Sequence, residues 1–303
     1  MSGQSVQTVR QASFTALFVD SMDRYADGFP NSTAELTSSS QWTLQSRQYV
    51  LNGYFNRIAL TSCLFFWNLP TIITGYNDTI AVGNEDGSAL LGYITIPQGW
   101  YGCDALASAI STLFAIIVTD GTVVADANTG ALTFSAPTGF SILPPKYSGL
   151  NGGATVYGRT YQTTGIIPDN ATLSDATYTL IGGIPSMLPT RYIDIGSKYL
   201  TKNQKVKDSS TLLSGQTTNI LARVNAFAPF TRTYFPPSAN SGMPVETPFV
   251  LSSDYGGGKL LEWNDDEIIS NFDIFLTDEY GQLVPWTRDI GCEYSFTLSA
   301  SET

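Results

Sequence analysis

Residues Asn271–Pro285, NFDIFLTDEYGQLVP, constrain the fold more than any other stretch. Phe272, Ile274 and Leu276 share one parity, with Asp273 and Thr277 on the other. That period of two marks a half-buried strand. Asp278, Glu279, Tyr280 and Gly281 then break it as a tight turn, because Asp tolerates turn geometry and Gly reaches φ > 0 at little cost. As a turn, the Asp278–Glu279 pair is expected to be solvated. Glu293–Leu298 alternates again, with Tyr294, Phe296 and Leu298 on one face. A long strand, a turn and a final short strand close an antiparallel sheet, and the rest of the chain has to supply its partners.

Those partners are visible upstream. QWTLQSRQY, from Gln41, alternates Trp42, Leu44 and Ser46 against polar neighbours. Asn56–Asn68 starts as an alternating strand and becomes apolar on both parities from Cys63 to Trp67, which places it mid-fold or under a neighbouring subunit. Thr79–Val82 and Leu90–Ile96 read as short strands split by the turn NEDGS. PQGWYGCDALASAISTLF is a helix, with Asp104 as N-cap or first-turn acid and Leu106, Ile110, Leu113 and Phe114 on one stripe. Ile116–Thr119, Thr122–Ala125 and Ala131–Ser135 read as strands, the last two joined by a DANTG hairpin turn. Leu143–Pro189 fits a surface excursion or a small inserted β element, with Tyr178–Ile181 as its strand. Thr190–Ser197 and Asn219–Phe227 are further strands, and residues 228–260 form a long Pro/Gly/Ser loop of the kind that serves function or contact.

At the N-terminus, Phe14, Leu17, Phe18 and Met22 recur at spacings of three and four, which fits a short helical piece between Ala12 and Tyr25. FPNSTAELTSSS follows as a linker. Residues 1–38 are therefore expected to be an N-terminal arm, docked on its own chain or on a neighbour. Residues 39–303 form the body, with an insertion around 144–189. Many short strands, one helix and no βαβ rhythm give an all-β sandwich or barrel, a jelly roll foremost on strand count.

The chain of 303 residues is only 14% charged while aromatics reach 12%. A neutral, aromatic surface is common where proteins pack together. The net charge of −11 argues against direct nucleic-acid binding, which needs clustered bases. Lys198, Lys202, Lys205 and Lys207 make the one basic run, read as a solvated loop or a small basic patch. Cys63, Cys103 and Cys292 show no CxxC spacing and read as buried free thiols of a reducing compartment. No run of about 18 apolar residues marks a membrane span, and MSGQSVQTVRQASF has no apolar signal-peptide core. The sequons at Asn31, Asn77 and Asn170 read as chance products of a composition rich in Asn, Ser and Thr.

Histidine is absent, which removes Ser-His-Asp and Cys-His catalysis, HExxH zinc sites and any imidazole base. Asp254–Lys259, DYGGGK, lacks the spacing and the hydroxyl of a phosphate loop. Asp265, Asp266 and Glu267 do not offer the alternating oxygens of a Ca²⁺ loop. Asp278 and Glu279 do not suit the facing carboxylates, roughly 5–9 Å apart, of a glycosidase. Trp100, Tyr101 and Trp286 could stack on sugars or pack under turns. The sequence specifies no catalytic residue, cofactor or metal ligand, and the chain reads as structural.

Four stretches carry a resemblance: Thr95–Tyr101 leading into the Ala105–Leu113 helix, Arg191–Ser197, Asn271–Pro285 and the ending EYSFTLS. Together they resemble elements of jelly-roll capsid proteins from virophages and related Polinton-like double-stranded DNA viruses, and most of all the penton, or vertex, proteins. The pattern F-x-I-x-L-x-D-x-x-G-x-x-V is matched by Phe272, Ile274, Leu276, Asp278, Gly281 and Val284. The resemblance implies a single jelly-roll β-sandwich with an inserted β-rich element and one short helix. It also implies homopentamers at the five-fold vertices of an icosahedral virion, contacting the major capsid protein and assembled in the host cytoplasm. A ring needs a heterologous interface, for which Cys63–Trp67, the 228–260 loop and the N-terminal arm are candidates. The alternatives are a jelly-roll carbohydrate- or receptor-binding module and a β-rich hydrolase with carboxylates brought together from distant loops.

Overall fold

The computed structural model describes residues 14–21, 41–45, 55, 57–66, 69–144, 158–202, 219–225, 248–252, 261–262, 271–285 and 294–301. In chain order, β1 (Phe14–Asp20), β2 (Gln41–Gln45), β3 (Arg57–Phe66), β4 (Thr79–Asn84) and β5 (Leu90–Thr95) precede helix α1 (Cys103–Ile117). Strands β6 (Thr122–Ala125), β7 (Leu132–Ala136) and β8 (Phe140–Leu143) lead to helix α2 (Gly158–Thr164). The rest comprises β9 (Thr172–Ser174), β10 (Thr177–Ile181), β11 (Tyr192–Gly196), β12 (Ile220–Asn225), β13 (Pro248–Ser252), β14 (Leu261–Glu262), β15 (Asn271–Thr277) and β16 (Tyr294–Ser301). All strand pairings among the described residues are antiparallel. The fold is all-β and jelly-roll-like.

The chain divides into two compact units. The first takes in Met1–Trp67, Tyr192–Asn225 and Thr247–Thr303; the second takes in Asn68–Arg191 and Ala226–Glu246. The 144–189 stretch lies within the second unit.

In the first unit one sheet runs β1-β16-β3-β13, with β14 also on β3, and the other runs β12-β11-β15-β2. Alternation decides the faces: Tyr294, Phe296 and Leu298 of β16 are buried, while Ser295 and Thr297 are half-buried. In β3, Ile58 and Leu60 are buried on one parity, with the small Ala59 between them also buried, and Cys63 is buried on the other. The pairing with β16 slips at Thr61, where Leu298 faces Leu60 and Thr297 faces Ser62. One extra residue is a β-bulge, which flips every later side chain to the opposite parity. Thr61 closes the irregularity by donating to the Thr297 carbonyl at 3.3 Å. The strand lies inside its sheet, between β16 and β13.

Residues 14–20 form β1 rather than the helical piece expected from the three-and-four spacing. Each residue from Phe14 to Asp20 pairs with β16, Leu17 opposite Leu298 and Val19 opposite Phe296. Long-range pairing outweighs a short apolar stripe here, since one turn or two of isolated helix is unstable in water. Part of the long 228–260 loop is also regular, with Pro248–Ser252 pairing against β3.

The second unit has a four-stranded sheet, β6-β7-β10-β9, and a three-stranded sheet, β5-β4-β8. α1 packs its Leu106, Ile110 and Phe114 stripe into a core with Ile80, Val82, Phe134 and Phe140. Phe114 meets Phe134 and Phe140 edge-on at 5.4 and 5.0 Å, the arrangement favoured by aromatic quadrupoles. The helix caps on Gly102, with Asp104 in its first turn, and ends at Ile117. Ile116 and Ile117 are therefore helical rather than strand. Val118 still donates to the Phe114 carbonyl at 2.8 Å, and the chain turns through Asp120, at φ 56. A second helix, α2, forms within the 144–189 stretch, where the sequence showed only strand signals. Asn77 is fully buried; it accepts from the Ile73 amide at 2.7 Å and donates to the Thr71 carbonyl at 2.8 Å, so this sequon is a structural residue.

Candidate functional site

Among the described residues of the first unit, a group of charged side chains gathers on β11, β12 and the end of β15. In β11, Ile193 and Ile195 turn into the core, which puts Tyr192 and Asp194 on the opposite face. Asp194 stands in register with Arg223 of β12 on one side and Thr277 of β15 on the other. The Arg223 guanidinium donates from Nε to Asp194 Oδ1 at 2.7 Å and from Nη2 to Oδ2 at 2.9 Å. This two-point pairing is the strongest geometry open to a carboxylate. The guanidinium also lies 3.8 Å from the centre of the Tyr192 ring. Burial pushes the Tyr192 phenol above its ordinary range, with Arg223 pulling it down and Asp194, Glu279 and Asp278 pushing it up.

The turn after β15 supplies the other two acids. Asp278 accepts at Oδ1 from the amides of Tyr280 and Gln282, both at 2.9 Å. Gly281, at φ 73, takes the left-handed position, and its amide donates to the Asp278 carbonyl at 3.0 Å. The turn folds back on its own strand, with Val284 donating to Leu276 at 3.0 Å. The expectation of a solvated pair is corrected: Asp278 and Glu279 are 1% and 3% exposed. The physical reason for Asp278 is that its carboxylate replaces water with the backbone donors of its own turn.

A fourth carboxylate, Asp273, joins β15 to the segment after β11. It accepts from Ser197 Oγ at 3.1 Å and from the amides of Lys198 and Tyr199 at 3.1 and 2.9 Å. Chemically, Asp194 clasps β11 to β12 through a guanidinium, Asp273 ties β15 to the segment after β11, and Asp278 holds the backbone of its own turn. Nothing in the sequence paired Asp194 with Arg223, because the two stand 29 residues apart and their meeting depends on strand register. The one local signal was an acid at the solvent parity of an otherwise apolar strand.

Other residues singled out from the sequence fall elsewhere. Trp100 is 45% exposed. Tyr101 is half-buried and donates its hydroxyl to the Pro97 carbonyl at 2.8 Å. Lys198 and Lys202 are exposed, with the Lys202 ammonium 4.5 Å from the centre of the Tyr199 ring. The Cys63 thiol is buried, whereas that of Cys103, at the start of α1, is half-buried. Asp254–Lys259, Asp265–Glu267, Trp286, Lys205, Lys207, Cys292 and the Trp67 end of the apolar segment lie outside the described residues. Among the described residues, no three His, Cys, Asp or Glu side chains are grouped to hold a metal ion. Among them, too, no helix is long and apolar enough to cross a membrane.

No family model matches the sequence, and no curated protein matches it. Among solved structures the chain is similar to the mavirus penton protein, with a TM-score of 0.48 and 11% identity, over 97% of this chain and 99% of that one. It is also similar to a chain of the Sputnik virophage solved by cryo-EM, with a TM-score of 0.45 and 13% identity, over 95% of this chain and 97% of that one.

Proposed function

We propose that the chain is a structural capsid protein forming homopentamers at the five-fold vertices of an icosahedral double-stranded DNA virus, in contact with the major capsid protein. Its location is the virion, with assembly in the host cytoplasm, and it is not an enzyme. One observation carries the reading. Two of the stretches that resemble penton proteins, Arg191–Ser197 and Asn271–Pro285, are the neighbouring strands β11 and β15, paired from Asp194–Thr277 to Gly196–Phe275. The third, EYSFTLS, is β16, in the interior of the other sheet of the same unit. Three of the four stretches thus fall on strands that share one unit, while the fourth, Thr95–Tyr101 with the start of α1, belongs to the second unit. In this reading the first unit is the jelly roll, and the insertion expected around 144–189 belongs to the second unit. The first residues form an arm that enters the sheet at β1.

Light scattering on the native protein tests it, followed by mixing with the major capsid protein and imaging. The expected mass is about five times the 32.8 kDa of the chain, or incorporation at shell vertices. A protein that stays monomeric and never joins the shell overturns it. Trp100, nearly half exposed, favours a second reading as a glycan- or receptor-binding module. Glycan affinity abolished by Trp100→Ala supports that module; a glycan screen with no hits counts against it.

A further inference from the structure

The second unit has a sheet face whose chemistry specifies a partner. In the β6-β7-β10-β9 sheet, Val123, Phe134 and Leu180 point into the core. The opposite parity faces outward and pairs in rows: Val124 with Thr133 with Ile181, and Thr122 with Ser135 with Thr179. Val124 and Ile181 are 63% and 68% exposed, an unusual position for two β-branched aliphatics in one row. None of the six residues is charged.

The border of this face is acidic. Asp120 precedes β6 and Asp126 follows it, while Asp175 sits in the turn between β9 and β10; all three are exposed. From residue 69 to residue 190 the sequence holds only two bases, Lys146 and Arg159. Arg159 is 3% exposed, and Lys146 lies outside the described residues. Among the described residues of that stretch, no Lys or Arg side chain reaches the surface.

We infer that this face docks a protein surface with an uncharged, partly apolar centre and a border of Lys and Arg. An uncharged centre within a charged rim is the ordinary anatomy of a protein interface, and complementary rims set the choice of partner. A second copy is the wrong occupant, because face-to-face pairing would bring carboxylate borders together. Contact is through the face and not by strand addition along β6, since the Val123 amide is taken by Ser111 Oγ at 2.9 Å.

The test uses the full chain and two labelled short peptides, one alternating Lys and Val and the other alternating Lys and Ser, titrated by fluorescence anisotropy at low and moderate salt. The Lys–Val peptide is expected to bind about tenfold more tightly than the charge-matched Lys–Ser peptide. The exposed double variant V124K/I181K is expected to lose at least that factor. The triple variant D120N/D126N/D175N should weaken binding and flatten its salt dependence. Equal affinity for the two peptides, or unchanged binding by V124K/I181K, overturns the inference. A wild-type dimer broken by V124K/I181K also overturns it, by naming a second copy as the occupant.

Discussion

The indole N–H of Trp42 donates to the phenol oxygen of Tyr294 at 2.6 Å, across 252 residues of sequence. Trp42 belongs to β2 and Tyr294 to β16, so the bond joins the two sheets of the first unit through its buried interior. A buried N–H without an acceptor costs its full desolvation. Tyr294→Phe keeps the ring and removes the acceptor, so it is expected to lower stability by about 1–3 kcal/mol in urea unfolding. Trp42→Phe leaves a cavity as well and is expected to cost about 2–4 kcal/mol. The double variant should lose less than the two single losses together. Strict additivity would show that the two groups do not stabilise each other.

Asp194 and Arg223 divide their exposure unequally, at 4% and 37% of the side chain. Removing the base therefore takes a two-point partner from a buried carboxylate, whereas removing the acid leaves a guanidinium that can reach water. Arg223→Met is expected to cost about 1–3 kcal/mol, below the full penalty for a buried pair because the guanidinium is partly solvated. Asp194→Asn in the Arg223→Met background should recover part of that loss, since it removes the buried charge. Equal stability of the single and double variants in chemical unfolding would sink this account.

Gly196 stands opposite Phe275 in the β11–β15 pairing, and a Cβ at Gly196 would overlap the Phe275 ring. The glycine is there for close approach, which in a strand otherwise costs conformational entropy. Gly196→Ala is expected to destabilise by about 1–3 kcal/mol through overpacking. Adding Phe275→Leu should restore part of the loss by vacating the ring. Thermal unfolding of the single and double variants checks this, and an unperturbed Gly196→Ala protein would refute it.

Periodicity was a good guide where one face of an element carries the core by itself. β15, β16 and α1 are of this kind: Ile274 and Leu276, Tyr294, Phe296 and Leu298, and Leu106, Ile110 and Phe114 are buried, with Leu113 half-buried. It misled at Phe14–Asp20, where Phe14, Leu17 and Phe18 satisfy a helical spacing although Leu17 and Val19 share the sheet face of their partners Leu298 and Phe296. Only the distant partner distinguishes the two. The bulge at Thr61 leaves no separate trace in the sequence: Cys63, Leu64, Phe65 and Phe66 beyond it are apolar on both parities, and the slip shows only in the pairing with β16. The clasps around Asp194, Asp273 and Asp278 were beyond local reading. Each depends on register or on how a turn folds back, and an acid in a turn looks solvated until its acceptor atoms are traced to backbone amides.

Tyr161 of α2 is 7% exposed and donates its hydroxyl to the Leu143 carbonyl at 2.6 Å. Burial pushes its phenol from 10.0 up to about 12. Between those values the unfolded chain releases the proton while the folded chain keeps it, so the unfolded state binds fewer protons and stability falls as pH rises. The contribution is complete below about pH 10 and is lost by about pH 12, an amount on the order of 2–3 kcal/mol for a shift of this size. Tyr161→Phe has no proton to lose. It should be slightly less stable than wild type at neutral pH, by about 1 kcal/mol for the missing hydrogen bond. Its alkaline decline should be shallower, so that the two stability curves cross between pH 10 and 12. Parallel curves across that window would mean that Tyr161 ionises as readily folded as unfolded, and that its hydroxyl is not enclosed with Leu143.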